Sequence, residues 1–374
     1  MSRILILGGT GYTGRLIAQY LLAQSNAEIT IATRHPDKAQ AYADSLNEQY
    51  PGHRAKAIYA DASQPDSLRP AFADQTLVAV AAPTTAYTAE VIRAALEMGV
   101  DYLDVQLGAK KLALLQSSAD EIERAGRCFI TEAGFHPGLP SALVRYAASQ
   151  LHPIESAITL GYLNMGKDLP YSEAVDEVIE SFKKYSGQVF QNGRWTSPRS
   201  FDVRTFHFGG DIGSKRCYAM FFEELGLLPD MLPSLRETGF YISEQHWMLD
   251  WVVMPIAWAW LKLAPNAVRP IGKFLWWGMG TFHKPPYRVE LQVQAAGLKD
   301  GRPATMQATV SHTDGYELTA IPVVATILQY LDGSAKKPGL WMMGHLVDPP
   351  RLMRDMEAMG ITCTTRIEAA PGDT

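Results

Sequence analysis

The chain opens with Arg3-Ile4-Leu5-Ile6-Leu7, runs directly into Gly8-Gly9-Thr10-Gly11-Tyr12-Thr13-Gly14, and continues through Arg15 to Leu22 with apolar residues at helical spacing. This order of strand, glycine turn and helix constrains the fold more than any other feature. Ile4 to Leu7 has the length and aliphatic character of a strand buried on both faces, as in a parallel sheet. Gly9, Gly11 and Gly14 satisfy G-x-G-x-x-G. One glycine permits a tight turn, one lets backbone approach a pyrophosphate, and one lets helix and strand pack closely. The amides at the helix start then face the phosphate charge. Residues 8–14 are therefore expected to cradle a dinucleotide. The apolar run ends at Gly8, too early for a signal peptide, so a cytoplasmic location is expected.

A second strand, Glu28 to Arg34, ends about 20 residues past Gly14, where an NAD-binding chain places an acidic residue for the ribose hydroxyls. Here Thr33 and Arg34 stand at that end. A carboxylate repels a 2′-phosphate, whereas a guanidinium binds it through paired hydrogen bonds, so NADP is favoured. NAD stays compatible if Arg34 is only a solvated residue before the helix that begins near Pro36. Further strands are expected at Ala57–Asp61, Thr76–Pro83, Val100–Val105 and Cys128–Thr131, with a helix over Tyr87–Gly99. Asp61 and Ala62 would border the adenine, and Ala81 to Thr85, including Pro83, the ribose or nicotinamide. Asp61 serves equally well as a cap for the helix near Pro65. Such alternation predicts the α/β class, a doubly wound parallel sheet with right-handed crossovers.

The 374 residues suggest two domains. We place the nucleotide domain at 1–150, joined by the C-terminal 336–374, and a substrate or dimerisation domain at 151–335. The latter reads as α+β with a mixed or antiparallel sheet, from alternation at Ala157–Tyr162, Ser200–Phe208, Tyr287–Ala295 and Ala304–His312. A helix over Ser172–Lys184 would cover it. Its polar candidates are Asp168, Tyr171, Glu173, Arg199, Arg204, His207, Asp211 and His312, with no local acid-base pair among them. Arg199 and Arg204 suit a substrate carboxylate best, through their fork geometry. The net charge of −5 supplies no field for nucleic acid. Three dispersed cysteines and no His or Cys cluster argue against disulfides and metal alike.

Six of the eight tryptophans lie between Trp247 and Trp277, inside an apolar insert over 246–282. Its longest charge-free run, Trp251 to Leu261, is far short of the roughly 20 residues a spanning helix needs. Lys262, Arg269 and Lys273 interleave with the aromatics. Three readings stay open: a buried helical pair or dimer contact, an apolar substrate lid, and a helix lying on a membrane surface.

Three stretches resemble the saccharopine dehydrogenase family. Gly8 to Gly14 with Arg15-Leu16 is similar to its G-G-x-G-x-x-G-R turn, and Ala133-Gly134-Phe135-His136-Pro137-Gly138-Leu139 to its G-F-D-P-G-[LI] segment. The stretch from Pro338-Gly339 to Gly360-Ile361 is similar to its ending, a proline-bounded turn followed by a helix. The resemblance implies an NADP-dependent oxidoreductase, a homodimer, that moves hydride to or from a C=N bond of an amino-acid-derived small molecule. Two positions differ. His136 stands where the family usually has Asp, putting a group that titrates near neutrality in place of a permanent anion. Val105-Gln106-Leu107-Gly108 replaces the family's D-x-[ST]-G-E. His136 is the one catalytic candidate. An enoyl or keto reductase of an apolar, lipid-like substrate, and a non-catalytic NADP-binding docking protein, are the alternatives that the insert keeps open.

Overall fold

Short aliphatic segments alternate with helices through the first 138 residues, and all six pair in parallel: β1 (Arg3–Leu7), β2 (Glu28–Thr33), β3 (Ala55–Tyr59), β4 (Leu77–Val80), β5 (Asp101–Asp104) and β6 (Cys128–Thr131). A seventh parallel strand, Gly339–Met342, joins beside β6. The sheet order is Gly339–Met342, β6, β5, β4, β1, β2, β3. The strands β4 to β6 are buried end to end, as a sheet covered on both faces requires, while β3 at the edge is half exposed. The order reverses between β1 and β4, which opens a crevice beyond the carboxyl ends of the strands. These coordinates come from a computed structural model that describes residues 2–165, 171, 174–183, 185–197 and 203–369.

The chain divides into two compact units, residues 1–138 with 319–348 and residues 139–318 with 349–374. Asp101, at the amino end of β5, shows why the chain returns to the first unit. Its carboxylate accepts the Cys128 amide at 2.9 Å and the Tyr330 hydroxyl at 2.6 Å, and Lys336 Nζ lies 3.4 Å away. Tyr330 belongs to the helix Glu317–Leu331 that leads back to the strand Gly339–Met342. The tail assigned as a whole to the nucleotide domain is split. Residues 349–374 lie in the second unit, because the strand Thr362–Ala369 pairs with that unit's sheet and the helix Pro349–Ala358 packs on the helix Leu139–Gln150.

The second unit is built on a nine-stranded mixed sheet. Its strands are β7 (Ile154–Asn164), β8 (Val189–Gln191), β9 (Arg194–Thr196), β10 (Val203–His207), β11 (Ser214–Met220), β12 (Glu237–Ser243), β13 (Arg288–Lys299) and β14 (Arg302–His312), followed by Thr362–Ala369. Among the described residues only β12 and β7 run parallel; the other pairs are antiparallel. Period-two alternation gives β13 two different faces. Val289, Leu291 and Val293 are buried apolar residues, whereas Glu290, Gln292 and Gln294 line the opposite side. Gln292 and Gln294 donate to the carbonyls of Phe208 and His207 at 3.0 and 2.8 Å, pinning the turn after β10 onto the sheet.

Tyr330→Phe removes a buried donor to Asp101 and is expected to destabilise the first unit by about 1–3 kcal/mol, read as a lower thermal midpoint. An unchanged midpoint would show that the cations beside it, Arg127 at 3.8 Å and Lys336 at 3.4 Å, suffice to hold that carboxylate.

Candidate functional site

The loops after β1 to β6 at the carboxyl edge of the first sheet each carry a residue singled out from the sequence, because parallel strands send all their exits to one side. After β1 the chain turns through Gly8, with φ at +88°, and its amide donates to the Ala32 carbonyl at 2.8 Å. A methyl group on Gly8 would fall 2.6 Å from the Ala82 Cβ, and one on Gly14 only 2.4 Å from the Gly8 carbonyl oxygen. No side chain fits at either place. Gly11 precedes helix α1 (Tyr12–Gln24) without a side-chain cap, and the first turn of α1 has no acidic residue. The amides at that end therefore remain available to an anion. Arg15 donates to the Thr10 carbonyl at 3.0 Å and lies 4.3 Å over the Tyr42 ring, which fixes the outside of the turn. Thr13 is half buried and Tyr12 exposed beside it.

Beyond β2, Thr33 is buried with its hydroxyl 3.5 Å from that of Thr10, and Arg34 projects into solvent with no ion pair among the described residues. Beyond β3, Asp61 accepts both the amide and the hydroxyl of Ser63, at 2.9 and 2.7 Å. Those bonds, and more weakly the charge of Arg34, hold its carboxyl below the usual range. Asp61 thus closes a local turn before the helix Pro65–Phe72 rather than capping that helix itself. Ala62 is buried. Beyond β4, the Ala81 amide donates to Leu7 at 2.9 Å, and Pro83 is exposed.

The sequence reading overlooked what holds the β4 and β5 exits. Gln106, singled out only as a departure, donates to the Ala82 carbonyl at 2.6 Å and to the Thr84 hydroxyl at 2.9 Å. It ties the loop bearing Ala81 and Pro83 to the end of β5. Beneath it Lys111, wholly buried, donates to the Asp104 carboxylate at 2.9 Å, the Gln106 carbonyl at 2.7 Å and the Thr131 hydroxyl at 2.7 Å. Asp104 also accepts from Tyr102 and Thr131 at 2.9 and 2.7 Å. All three ammonium protons are used, which is what lets a buried charge persist. The available signal was a carboxylate closing a buried strand with a lysine seven residues later.

His136 lies beyond β6, half-buried, with its ring tilted by 41° against that of Phe135 at a centroid separation of 4.4 Å. Desolvation lowers its pKa below 6.5. At neutral pH the imidazole is uncharged, so the titration near neutrality expected of it moves to more acid conditions. Gly138 closes this loop at φ +123°, where a side chain would meet the Glu132 carbonyl oxygen at 2.5 Å. In the second unit, Arg204 pairs with Glu237 at 2.8 Å and lies over the Tyr241 ring, so a carboxylate of the chain itself already meets its guanidinium. Asp211 pairs with Arg288 at 3.2 Å, His207 faces Ser214, and His312 accepts the Asp314 amide. Tyr171 donates to Asp176. Arg199, Asp168 and Glu173 lie outside the described residues. Among the described residues no group of His, Cys, Asp and Glu has the arrangement of a metal site.

Comparison with known proteins agrees with this geometry. Residues 4–127 match the saccharopine dehydrogenase NADP-binding domain. The stretch so matched runs from β1 to the residue before β6, and NADP is the cofactor of this domain. The apo saccharopine dehydrogenase (L-Glu forming) of Saccharomyces cerevisiae superposes with a TM-score of 0.71 at 17% identity, covering 99% of this chain and all of that one. The likeness establishes a shared fold across both units. A myo-inositol dehydrogenase from Corynebacterium glutamicum aligns over 80% of this chain and 73% of its own length, at 12% identity and a TM-score of 0.41. No curated protein sequence matches. The fold and the saccharopine dehydrogenase NADP-binding domain together are those of an NAD(P)-dependent oxidoreductase.

Lys111→Met strips Asp104 of its counter-charge and is expected to cost about 3–5 kcal/mol of stability in a denaturation experiment, the signature of an uncompensated buried carboxylate. A loss below about 1 kcal/mol would mean the neutral donors suffice alone. His136 has its own pH signature. Its folded pKa lies below its unfolded value of 6.5, so the unfolded chain binds the extra proton first and stability falls as pH drops through that value. His136→Asn should flatten this acid-side slope in thermal melts, and an unaltered slope would show that the imidazole is not desolvated.

Proposed function

We propose that the protein uses NADP to transfer hydride to or from a C=N bond of an amino-acid-derived substrate. The observation that carries the cofactor part is the space between Gly8, Gly14 and the start of α1, which is closed to any side chain and lined by uncapped amides. A diphosphate fits that chemistry. In this reading Gly8, Gly9, Thr10, Gly11, Tyr12, Thr13 and Gly14 hold the pyrophosphate. Arg34, with Thr33 behind it, receives the 2′-phosphate. Asp61 and Ala62 flank the adenine, and Ala81 and Pro83 border the ribose and nicotinamide. Bound NADP would supply the hydride chemistry. What the chain adds is position: Gln106 sets the loop after β4, and the Lys111–Asp104 pair makes the floor beneath it rigid. His136, uncharged at neutral pH, is proposed to sit against the substrate as a hydrogen-bonding group rather than a fixed anion.

The C=N chemistry is supported by the nucleotide-domain family and by the fold shared with the yeast saccharopine dehydrogenase. A second reading, reduction of a keto or enoyl group on an apolar substrate, is favoured by the aromatic insert and by a histidine in place of an anion. The cysteines support a reducing, cytoplasmic setting. Cys128, Cys217 and Cys363 are free thiols, with pKa values pushed up by burial to about 11, 12 and 12.

NADPH should raise the thermal midpoint of the purified protein, and Gly14→Ala should abolish the shift; no NADPH protection in the wild type would remove the cofactor reading. Arg34→Glu should weaken NADPH binding about tenfold or more while sparing NADH, since it removes the charge-assisted bonds to one phosphate. An equal effect on both cofactors would release Arg34 from this role. NADPH consumption with a panel of imine-forming amino acids, against keto and enoyl lipids, separates the two substrate classes.

A further inference from the structure

The aromatic insert is a helical hairpin with two opposite apolar sides, and among the described residues only one of them is covered. A π-helical turn, Leu249–Val253, continues into the helix Met254–Leu263, and the helix Val268–Phe282 packs against it. Leu249, Val253, Ala257 and Leu261 recur every four residues and are buried with Ile271 and Leu275. Two residues out of phase, about 200° around the helix, lies a second series: Trp247, Trp251, Pro255, Ala259 and Leu263. All five are exposed, as are the adjacent Ile256 and Trp260. Trp247 and Trp251 are 63% accessible, Leu263 86% and Ile256 48%, although a soluble helix turns its polar side outward. The other helix adds Trp277, 56% accessible.

The patch is continuous across the hairpin. Ring contacts run from Trp260 to Phe274, Trp277 and Phe282, then through His246 to Trp247, with centroid separations between 5.5 and 6.2 Å. Its charges are of one sign. From Trp251 to Val289 the sequence contains no Asp or Glu, while Lys262, Arg269, Lys273 and Lys284 are all exposed, in a chain whose net charge is −5. Lys262, Lys273 and Lys284 make no ion pair among the described residues. Acidic groups flank the hairpin on two other segments: on the segment entering it Glu244 is paired with Arg216 at 2.8 Å and Asp250 is half-buried and accepts the Gln245 amide, and on the helix Ala174–Phe182, which packs on the covered side of Val268–Phe282, Asp176 lies beside Gly272 and accepts the Tyr171 hydroxyl.

The geometry points to this hairpin face as a docking surface for an anionic lipid bilayer. Tryptophans with apolar bodies and polar edges, among cations that reach lipid phosphates, form the composition that lies in a membrane interface. No helix of the described residues is long and apolar enough to cross the bilayer, so the contact is peripheral. A second copy of the chain is the poorer occupant. A two-fold contact would bring the same cationic rim against itself with no acid in the hairpin to answer it.

The test is flotation of the full-length protein with vesicles of phosphatidylcholine alone and with phosphatidylglycerol added. Binding is expected on the anionic vesicles, with a blue shift of tryptophan fluorescence. Ile256→Gln/Trp260→Gln/Leu263→Gln, all at exposed positions, should weaken it about tenfold or more at an unchanged melting temperature. Lys262→Glu/Lys273→Glu should weaken binding to anionic vesicles by a similar factor. Absence of vesicle binding by the wild type, equal binding by the triple variant, or no preference for anionic lipid would each overturn the proposal. So would a concentration-dependent dimer that the triple variant dissociates without any lipid binding, which would assign the face to a second copy. None of these readouts depends on turnover or on NADPH.

Discussion

The carbonyl oxygen of Gly8 lies where a side chain on Gly14 would have to be, and much of the first unit is arranged to keep it there. The close approach brings the start of α1 against the end of β1, so that the amides of its first turn point beyond the sheet edge. The parallel pairing of β1 with β2 and β4 then sets where the neighbouring loops emerge. The Ala32 carbonyl holds Gly8, and Ala82 presses on it from the other side. Glycine is required here for lack of space more than for flexibility.

The rest of the crevice edge depends on a buried charge pair. Asp104 and Lys111 lie in the interior, where each alone would be costly, and survive because Tyr102, Thr131 and the Gln106 carbonyl complete their hydrogen bonding. The pair fixes the exits of β5 and β6, and through Gln106 the loop after β4. Rigidity at this edge suits a bound nicotinamide, whose reactive face must be presented in one orientation. His136 emerges from the same edge. Desolvation keeps it neutral, so in the proposed role it would meet a substrate as a hydrogen-bonding group rather than as a charge.

The second unit shows a different use of polarity. The glutamines of β13 bind a loop to the sheet, so hydrogen bonds cover that face where apolar packing covers the other. The insert reverses the usual arrangement again. Its helices bury one apolar stripe against each other and leave a second bare, ringed with positive charge. Four of its six tryptophans, Trp247, Trp251, Trp260 and Trp277, are left exposed and gain the fold little stability there.

Local chemistry determined the first half of the molecule. The glycine spacing, the aliphatic strands and the strict alternation with helices could be read directly, because each rests on contacts between residues near in sequence and on a periodicity that solvent exclusion enforces. Arg34 and Asp61 could be placed at the strand ends for the same reason. Tertiary structure alone decided what depends on distant residues meeting. It joined Asp101 to Tyr330, and it sent residues 349–374 to the second sheet through pairing of Thr362–Ala369 with β14. Lys111 was brought to Asp104, and Arg204 was engaged by Glu237. The insert is the clearest case. Its composition announced an apolar insert, but that it is a hairpin and which stripe is buried follow from how two helices pack, a choice that spacing within one helix leaves open.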